Sequence, residues 1–205
     1  LSSHHPFKVP EQYTGVFPKG PLPVQEPTGY SDHALKEFFA KSAKEPWFKN
    51  TLFVLCADHA TTSFLPEYQT APNAFAIPIV FYYPRGTLKG QSDKLVQQID
   101  IMPTVLNYLN YDQPYFAFGF DAFAPDRHNF VVNNIGGTYN FFQGDYFMTH
   151  DGHQPLSVFN LKKDPFLKDD LLKQQNNPSD SLQQGLHAFI QQYNYRMIHN
   201  KLIAD

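Results

Sequence analysis

FVLCADHATT, residues 53–62, runs from apolar residues into an Asp-His pair and then into small and hydroxylated side chains. With the residues before it, NTLFVLCAD reads as a buried strand: short, β-branched and aromatic, and apolar on both faces. In α/β sheets ligands gather beyond the carboxyl ends of strands, which is where Asp58 and His59 would stand. A carboxylate oxygen and an imidazole nitrogen suit zinc or manganese, and magnesium less well because of the histidine. Two ligands are too few for a tight site, so others must come from elsewhere. The competing reading has Asp58 capping a following turn and His59 as a partly buried polar residue.

Working outward, IPIVFYYP, residues 77–84, is a second run of the same buried kind, closed by Pro84 and Gly86. Upstream, Ala34, Leu35, Phe38, Phe39 and Ser42 follow helical spacing, with Ser31 or Asp32 placed as a cap and Pro46 beyond the end. The first 30 residues hold six prolines and three glycines and read as loop. Downstream, VQQIDIMPTVLNYLN predicts a short strand and then a helix. Asp100 would accept from first-turn amides, Pro103 is tolerated there, and Met102, Val105, Leu106 and Leu109 form a buried stripe. Helix–strand–helix alternation implies a mainly parallel sheet flanked by helices.

Past residue 125 the pattern changes. NFVVNN, TYNFFQ, DYFMTH and LSVFNL are short strands joined by IGG, QGD and DGHQP, which predicts an antiparallel meander. Leu182, Leu186, Phe189, Ile190, Tyr193, Met197 and Ile198 then recur at helical spacing and predict a long closing helix. The fold class expected is therefore α/β, with an α/β core portion over 1–125, antiparallel strands over 126–178 and a closing helix over 179–205.

Composition bounds the function. A chain of 205 residues, 42% hydrophobic and 16% aromatic, can fill a core. A formal charge of -3 gives no reason to expect nucleic acid as a partner. The single cysteine, Cys56, excludes an internal disulfide and reads as a buried thiol. No run approaches the roughly 18 apolar residues of a membrane helix. There is no Gly-x-Ser-x-Gly elbow, Gly-rich phosphate loop or Cys-x-x-Cys pair.

The remaining candidates are weaker. His4 and His5 lie in a proline-rich loop, where an imidazole could donate to an anionic substrate or simply face solvent. HDGH, residues 150–153, has the composition of a metal cluster and the spacing of a hairpin turn around Asp151-Gly152. Asp32-His33 reads as a helix opening. Arg85 and Arg127 could meet a phosphate, and the aromatic YDQPYFAFGFDAF reads as packing.

Taken in order, SSHHPFKVP, YSDHALKEFFAKSAKEPWFKNTLFVLCADH, IPIVFYYP, QQIDIMPTVLNYL, FGFDAF, GDYFMTHDG and FIQQYNYRMIHNKL resemble the sulfatase-type branch of the alkaline phosphatase superfamily. Within it they are most like lipoteichoic acid synthases and bacterial phosphoglycerol transferases. The resemblance implies an extracytoplasmic, metal-dependent phosphotransferase or hydrolase that moves phosphoglycerol-like head groups through a Thr or Ser nucleophile. It implies one divalent ion, manganese or magnesium, with zinc in relatives, and makes Asp58 and His59 two of its ligands. It makes His4, in the family's Ser-Ser-His segment, a contact to an anionic phospholipid or glycan head group. Ala60 departs from the glycine that commonly follows Asp-His in the family.

In the family the nucleophile, an acidic ligand and membrane helices belong to an N-terminal half, so these residues resemble the C-terminal half and are expected to show no turnover alone. The other expectation is a non-catalytic remnant that binds an anionic glycolipid or a protein. A truncated sheet would expose a strand edge, through which self-association would not be surprising.

Overall fold

Ring packing organises the N-terminal part of the chain. The structure, a computed structural model, describes residues 2–61, 63–86, 88–125 and 130–203. These fall into two compact units, Leu1–Ala57 with Pro78–Gly90, and Asp58–Ile77 with Gln91–Asp205.

In the first unit, helix α1 spans Gln25–Ser42. It begins well before the expected Ser31 or Asp32, which lie inside it, so part of the proline-rich segment is helical and Asp32-His33 does not open the helix. Pro27 costs nothing so early, because the first-turn amides have no intrahelical partner. The Gln25 side chain accepts from Leu22 N at 3.1 Å, and Glu26 accepts from Gly15 N at 2.7 Å. Gly29 is needed for close packing, since a Cβ there would lie 3.0 Å from the Phe17 side chain.

Strands β1 (Phe53–Cys56) and β2 (Ile79–Tyr82) form a two-stranded antiparallel sheet in the register Phe53↔Tyr82 to Cys56↔Ile79. The rings of Phe39, Phe48, Phe53 and Tyr82 pack on one another at 5.0–6.4 Å between centroids. The expected parallel sheet is not seen among the described residues. A parallel pair needs a crossover, usually helical, whereas the described residues of this connection carry the 3-10 turns Pro66–Gln69 and Asn73–Phe75 and no helix longer than these. Nor are the strands buried on both faces: Val80 and Tyr82 are 48% and 41% exposed. Cys56 is exposed as well, contrary to its expected burial. An apolar run fixes the strand but does not supply a layer to cover each face.

In the second unit a 3-10 turn, Gln98–Asp100, leads into α2, Ile101–Tyr108. The short strand expected before this helix is absent from the described residues. The buried face of α2 carries Pro103 and Thr104, while Met102 and Leu109 of the expected stripe are exposed. The four strands β3 (Phe130–Ile135), β4 (Thr138–Gln143), β5 (Tyr146–His150) and β6 (Pro155–Asn160) form the expected antiparallel meander in sequential order. The first hairpin turns on Gly136 and Gly137, whose φ values of 59° and 89° suit the twist of a two-residue connection.

Helix α3, Ser179–Ile198, lays Leu182 and Leu186 on the row formed by Phe141, Met148 and Val158 across the sheet. Each such side chain contributes about 1.5–3 kcal/mol on full burial. Gly185 permits the approach: a Cβ there would stand 3.1 Å from the Phe141 ring. The buried stripe ends early, with Tyr193, Met197 and Ile198 exposed. The helix stops at Ile198 rather than reaching 205. Asn200 takes a φ of 51°, and the amide of Lys201 reaches back to Arg196 O at 2.8 Å, which satisfies last-turn carbonyls.

Candidate functional site

Asp58 follows β1 after Ala57, and one more residue brings His59. The Asp58 carboxylate accepts from the amide of His59 at 2.9 Å, which fixes its rotamer. The His59 ring donates from Nδ1 to the Ala60 carbonyl at 2.8 Å. A carbonyl can only accept, so Nδ1 carries a proton, and Nε2 carries a lone pair in the neutral ring. That nitrogen faces Asp58 Oδ2 at 3.6 Å. Two lone-pair atoms so close repel unless a cation serves both, either a proton on Nε2 or a metal ion between them.

The spacing fits a metal. Ligands about 2.1 Å from an ion lie roughly 3.4 Å apart in a tetrahedral set and roughly 3.0 Å apart in an octahedral one, so a small closing movement suits either. A ring nitrogen oriented by a hydrogen bond from its opposite nitrogen to a carbonyl is the usual state of a ligating histidine. Both side chains are exposed, 72% for His59 and 88% for Asp58, so this pair is an open face and not a closed cage. Among the described residues no group of three or more His, Cys, Asp or Glu is placed to hold an ion. The pair thus fits as part of a ligand set and falls short of one alone.

What holds the pair in place was not visible in the sequence. Gln98 Nε2 donates to the Asp58 carbonyl at 3.0 Å and ties the loop to the 3-10 turn before α2. That turn is itself fixed by Asp100, 2% exposed, whose carboxylate accepts from Gln97 N at 2.9 Å and from Phe120 N at 2.7 Å. Asp100 is structural, as its place before Pro103 implies, but it serves these amides and not those of the first helical turn. Burial raises its pKa, and the amides of Phe120 and Gln97 partly oppose this. Gln97 carries the connection on to β3, through Phe130 O at 3.1 Å and Val132 N at 3.3 Å. A glutamine in a polar pair gives no sequence signal of such a role.

The other candidates separate. His4 is exposed in the first unit, with Nδ1 donating to His5 O at 2.9 Å. Arg85 is engaged with Asn50 Oδ1 at 3.0 Å, and Arg127 lies outside the described residues. HDGH is the hairpin turn its spacing implies: Asp151 accepts from the amides of His153 and Gln154, each at 2.7 Å, which hold its carboxyl below the usual range. The aromatic segment packs, with Phe118 against Phe189 and Tyr193 at 5.5 and 5.4 Å, and the Arg196 guanidinium 3.8 Å from the Phe116 ring.

Comparison with known proteins gives the family and the fold. Residues 1–111 match the family model described as Sulfatase. A solved protein in the alkaline phosphatase superfamily from Vibrio parahaemolyticus superimposes with a TM-score of 0.61 at 23% identity, over 77% of this chain and 39% of that one. BT4656, solved in complex with its substrate D-glucosamine-2-N,6-O-disulfate, superimposes with a TM-score of 0.56 at 15% identity, over 84% of this chain and 41% of that one. The chain spans about two fifths of the length of either structure, and the shared fold is a mixed α/β, partial alkaline phosphatase-like one.

Proposed function

Because the chain belongs to the sulfatase family, within a superfamily of hydrolases and transferases that typically use metal ions, we propose that it contributes the strand-end half of a metal centre to an extracytoplasmic phosphotransferase or hydrolase. Asp58 and His59 hold a divalent ion, manganese or magnesium, with zinc as the alternative. The single observation that carries this reading is the 3.6 Å approach of Asp58 Oδ2 to His59 Nε2, with the ring oriented through Nδ1 on the Ala60 carbonyl. The finer reading, transfer of phosphoglycerol-like head groups as in lipoteichoic acid synthases, rests on the order of motifs from Ser2 to Leu202.

When bound, the ion would supply Lewis-acid polarisation of a phosphoryl or sulfuryl oxygen. The protein's part is positional. Asp58 brings a negative charge that attracts the ion and is held by the His59 amide. His59 presents one nitrogen, with its ring plane set by the Ala60 carbonyl. Gln98 holds the main chain of Asp58, so the ligands do not depend on a free loop. His4, exposed and with its ring held through Nδ1 on His5 O, is the proposed contact to an anionic head group. A nucleophile and further ligands would come from the part of a sulfatase-type domain that these residues do not cover. That part, carrying membrane anchors, is the proposed principal partner, and a membrane outer face or periplasm the proposed location.

The test follows the histidine side-chain signals of the 205-residue chain during titration with Mn2+. Preferential broadening of His59, lost in Asp58→Ala, supports the proposal. Equal broadening at His59 and the exposed His199, or broadening that Asp58→Ala leaves unchanged, overturns it. The same chain should show no hydrolysis of a bis-aryl phosphodiester. Turnover that Asp58→Ala abolishes would contradict the placing of the nucleophile elsewhere.

A further inference from the structure

His150 ends β5 with no exposure to solvent. Its Nδ1 accepts from the amide of Gly152 at 2.9 Å. An amide N–H can only donate, so Nδ1 keeps its lone pair and Nε2 carries the proton. Nε2 is buried, and among the described residues it has no hydrogen-bond partner. The His187 ring of α3 stands edge-to-face against His150, 5.1 Å away at 89°. A second contact runs from α3 to the same turn, Gln183 Nε2 to His153 O at 3.4 Å.

The titratable groups around this imidazole are His187 from α3, Tyr139 opposite it on β4, and Asp151 and His153 in the turn itself; β6 offers Pro155 opposite it. Asp151 is committed to the amides of His153 and Gln154. A second proton on His150 has one place to go, Nδ1, where it would meet the Gly152 N–H donor to donor. The turn and the imidazolium therefore exclude each other. A metal ion on Nε2 is excluded for the same reason, since it would drive the proton onto Nδ1. Burial, and after it the neighbouring His187, hold the pKa of His150 below the ordinary histidine value.

We propose that residues 150–154 are an acid-sensitive latch between the meander and α3: neutral His150 closes the turn, and protonated His150 opens it and releases the contacts of the turn with Gln183 and His187. No residue of the Asp58-His59 pair takes part.

The test is hydrogen exchange of the Gly152, His153 and Gln154 amides, corrected for intrinsic rates, with long-range 15N spectra of the His150 ring. The spectra should show the Nε2–H form at pH 7.5. If an opened His150 titrates at about 6.5 and the closed one does not, opening should rise about 30-fold between pH 7.5 and 5.0. His150→Asn offers Oδ1 to the same amide and does not titrate, so its exchange should stay flat. Exchange in the unsubstituted chain that stays flat, an Nδ1–H form at pH 7.5, or a rise that persists in His150→Asn overturns the latch. If His150→Asn does not fold, the ring spectra and exchange of the unsubstituted chain decide alone.

Discussion

Replacing Asp100 tests the scaffold under the candidate site. Its carboxylate serves two amides, Gln97 N and Phe120 N, at a position 2% exposed. In Asp100→Ala both part-buried amides lose their acceptor. At about 1–3 kcal/mol for each unsatisfied buried group, and with some return from no longer burying a carboxylate, the loss should be about 2–4 kcal/mol. Asp100→Asn keeps one oxygen but turns an NH2 toward the other amide, so it should cost about 1–2 kcal/mol. Urea unfolding of the three proteins checks the order. A loss under about 0.5 kcal/mol for Asp100→Ala would refute the claim that these hydrogen bonds organise the turn.

The pH dependence gives a second, independent reading of the same group. Burial raises the folded pKa of Asp100 above the ordinary value of 3.8. The folded chain then binds that proton more tightly than the unfolded chain does. The stability tied to this proton is fully present below the ordinary value and is lost as pH rises through the folded one. Asn does not titrate, so the advantage of the unsubstituted chain over Asp100→Asn should shrink from acid toward neutral pH. An advantage that grows with pH would mean that the amide hydrogen bonds outweigh burial.

Three further outcomes are expected. Gly119→Ala should destabilise by about 3 kcal/mol or more in urea unfolding, because overpacking adds to the lost Asp100 hydrogen bond; its Cβ would lie 2.2 Å from Ile99 O and 2.7 Å from Asp100 Oδ1. Leu186→Ala, at a position with no exposure in the sheet–helix core, should cost about 2–5 kcal/mol by the same measurement. Gln98→Ala should leave the ligand atoms of Asp58 and His59 intact but weaken Mn2+ binding several-fold in relaxation titrations, through loss of the anchor on Asp58 O.

Local geometry was legible where one residue type had one solution. Gly136-Gly137 between alternating strands has few alternatives to a hairpin, and Asp151-Gly152 capped its turn as its composition implied. The start of α1 was not legible, because Pro27 and Gly29 carry the same letters whether they break a helix or open and pack one. The parallel sheet failed for a different reason. Apolar runs 53–56 and 79–82 specify strands, but direction depends on the connection, and residues 57–78 contain no feature that announces two short 3-10 turns in place of a helix. Burial was misjudged for the same strands, since hydrophobicity records what would favour cover and not whether cover is present.

The Asp58-His59 pair shows how these limits meet at a site. Its chemistry is local: a carboxylate beside an imidazole at a strand end, readable from two letters. Its geometry is not. The tautomer of His59 depends on the Ala60 carbonyl, and the hold on Asp58 on a glutamine 40 residues away. Behind that glutamine stands Asp100, fixed by an amide another 20 residues on, and beside it Gln97, joined to β3. A pair 72% and 88% exposed cannot draw precision from being packed, so it must draw it from this chain of hydrogen bonds. Gln97, Gln98 and buried Asp100 are therefore as much a condition of the proposed metal centre as the two ligands, and substitution there should affect metal binding and stability together.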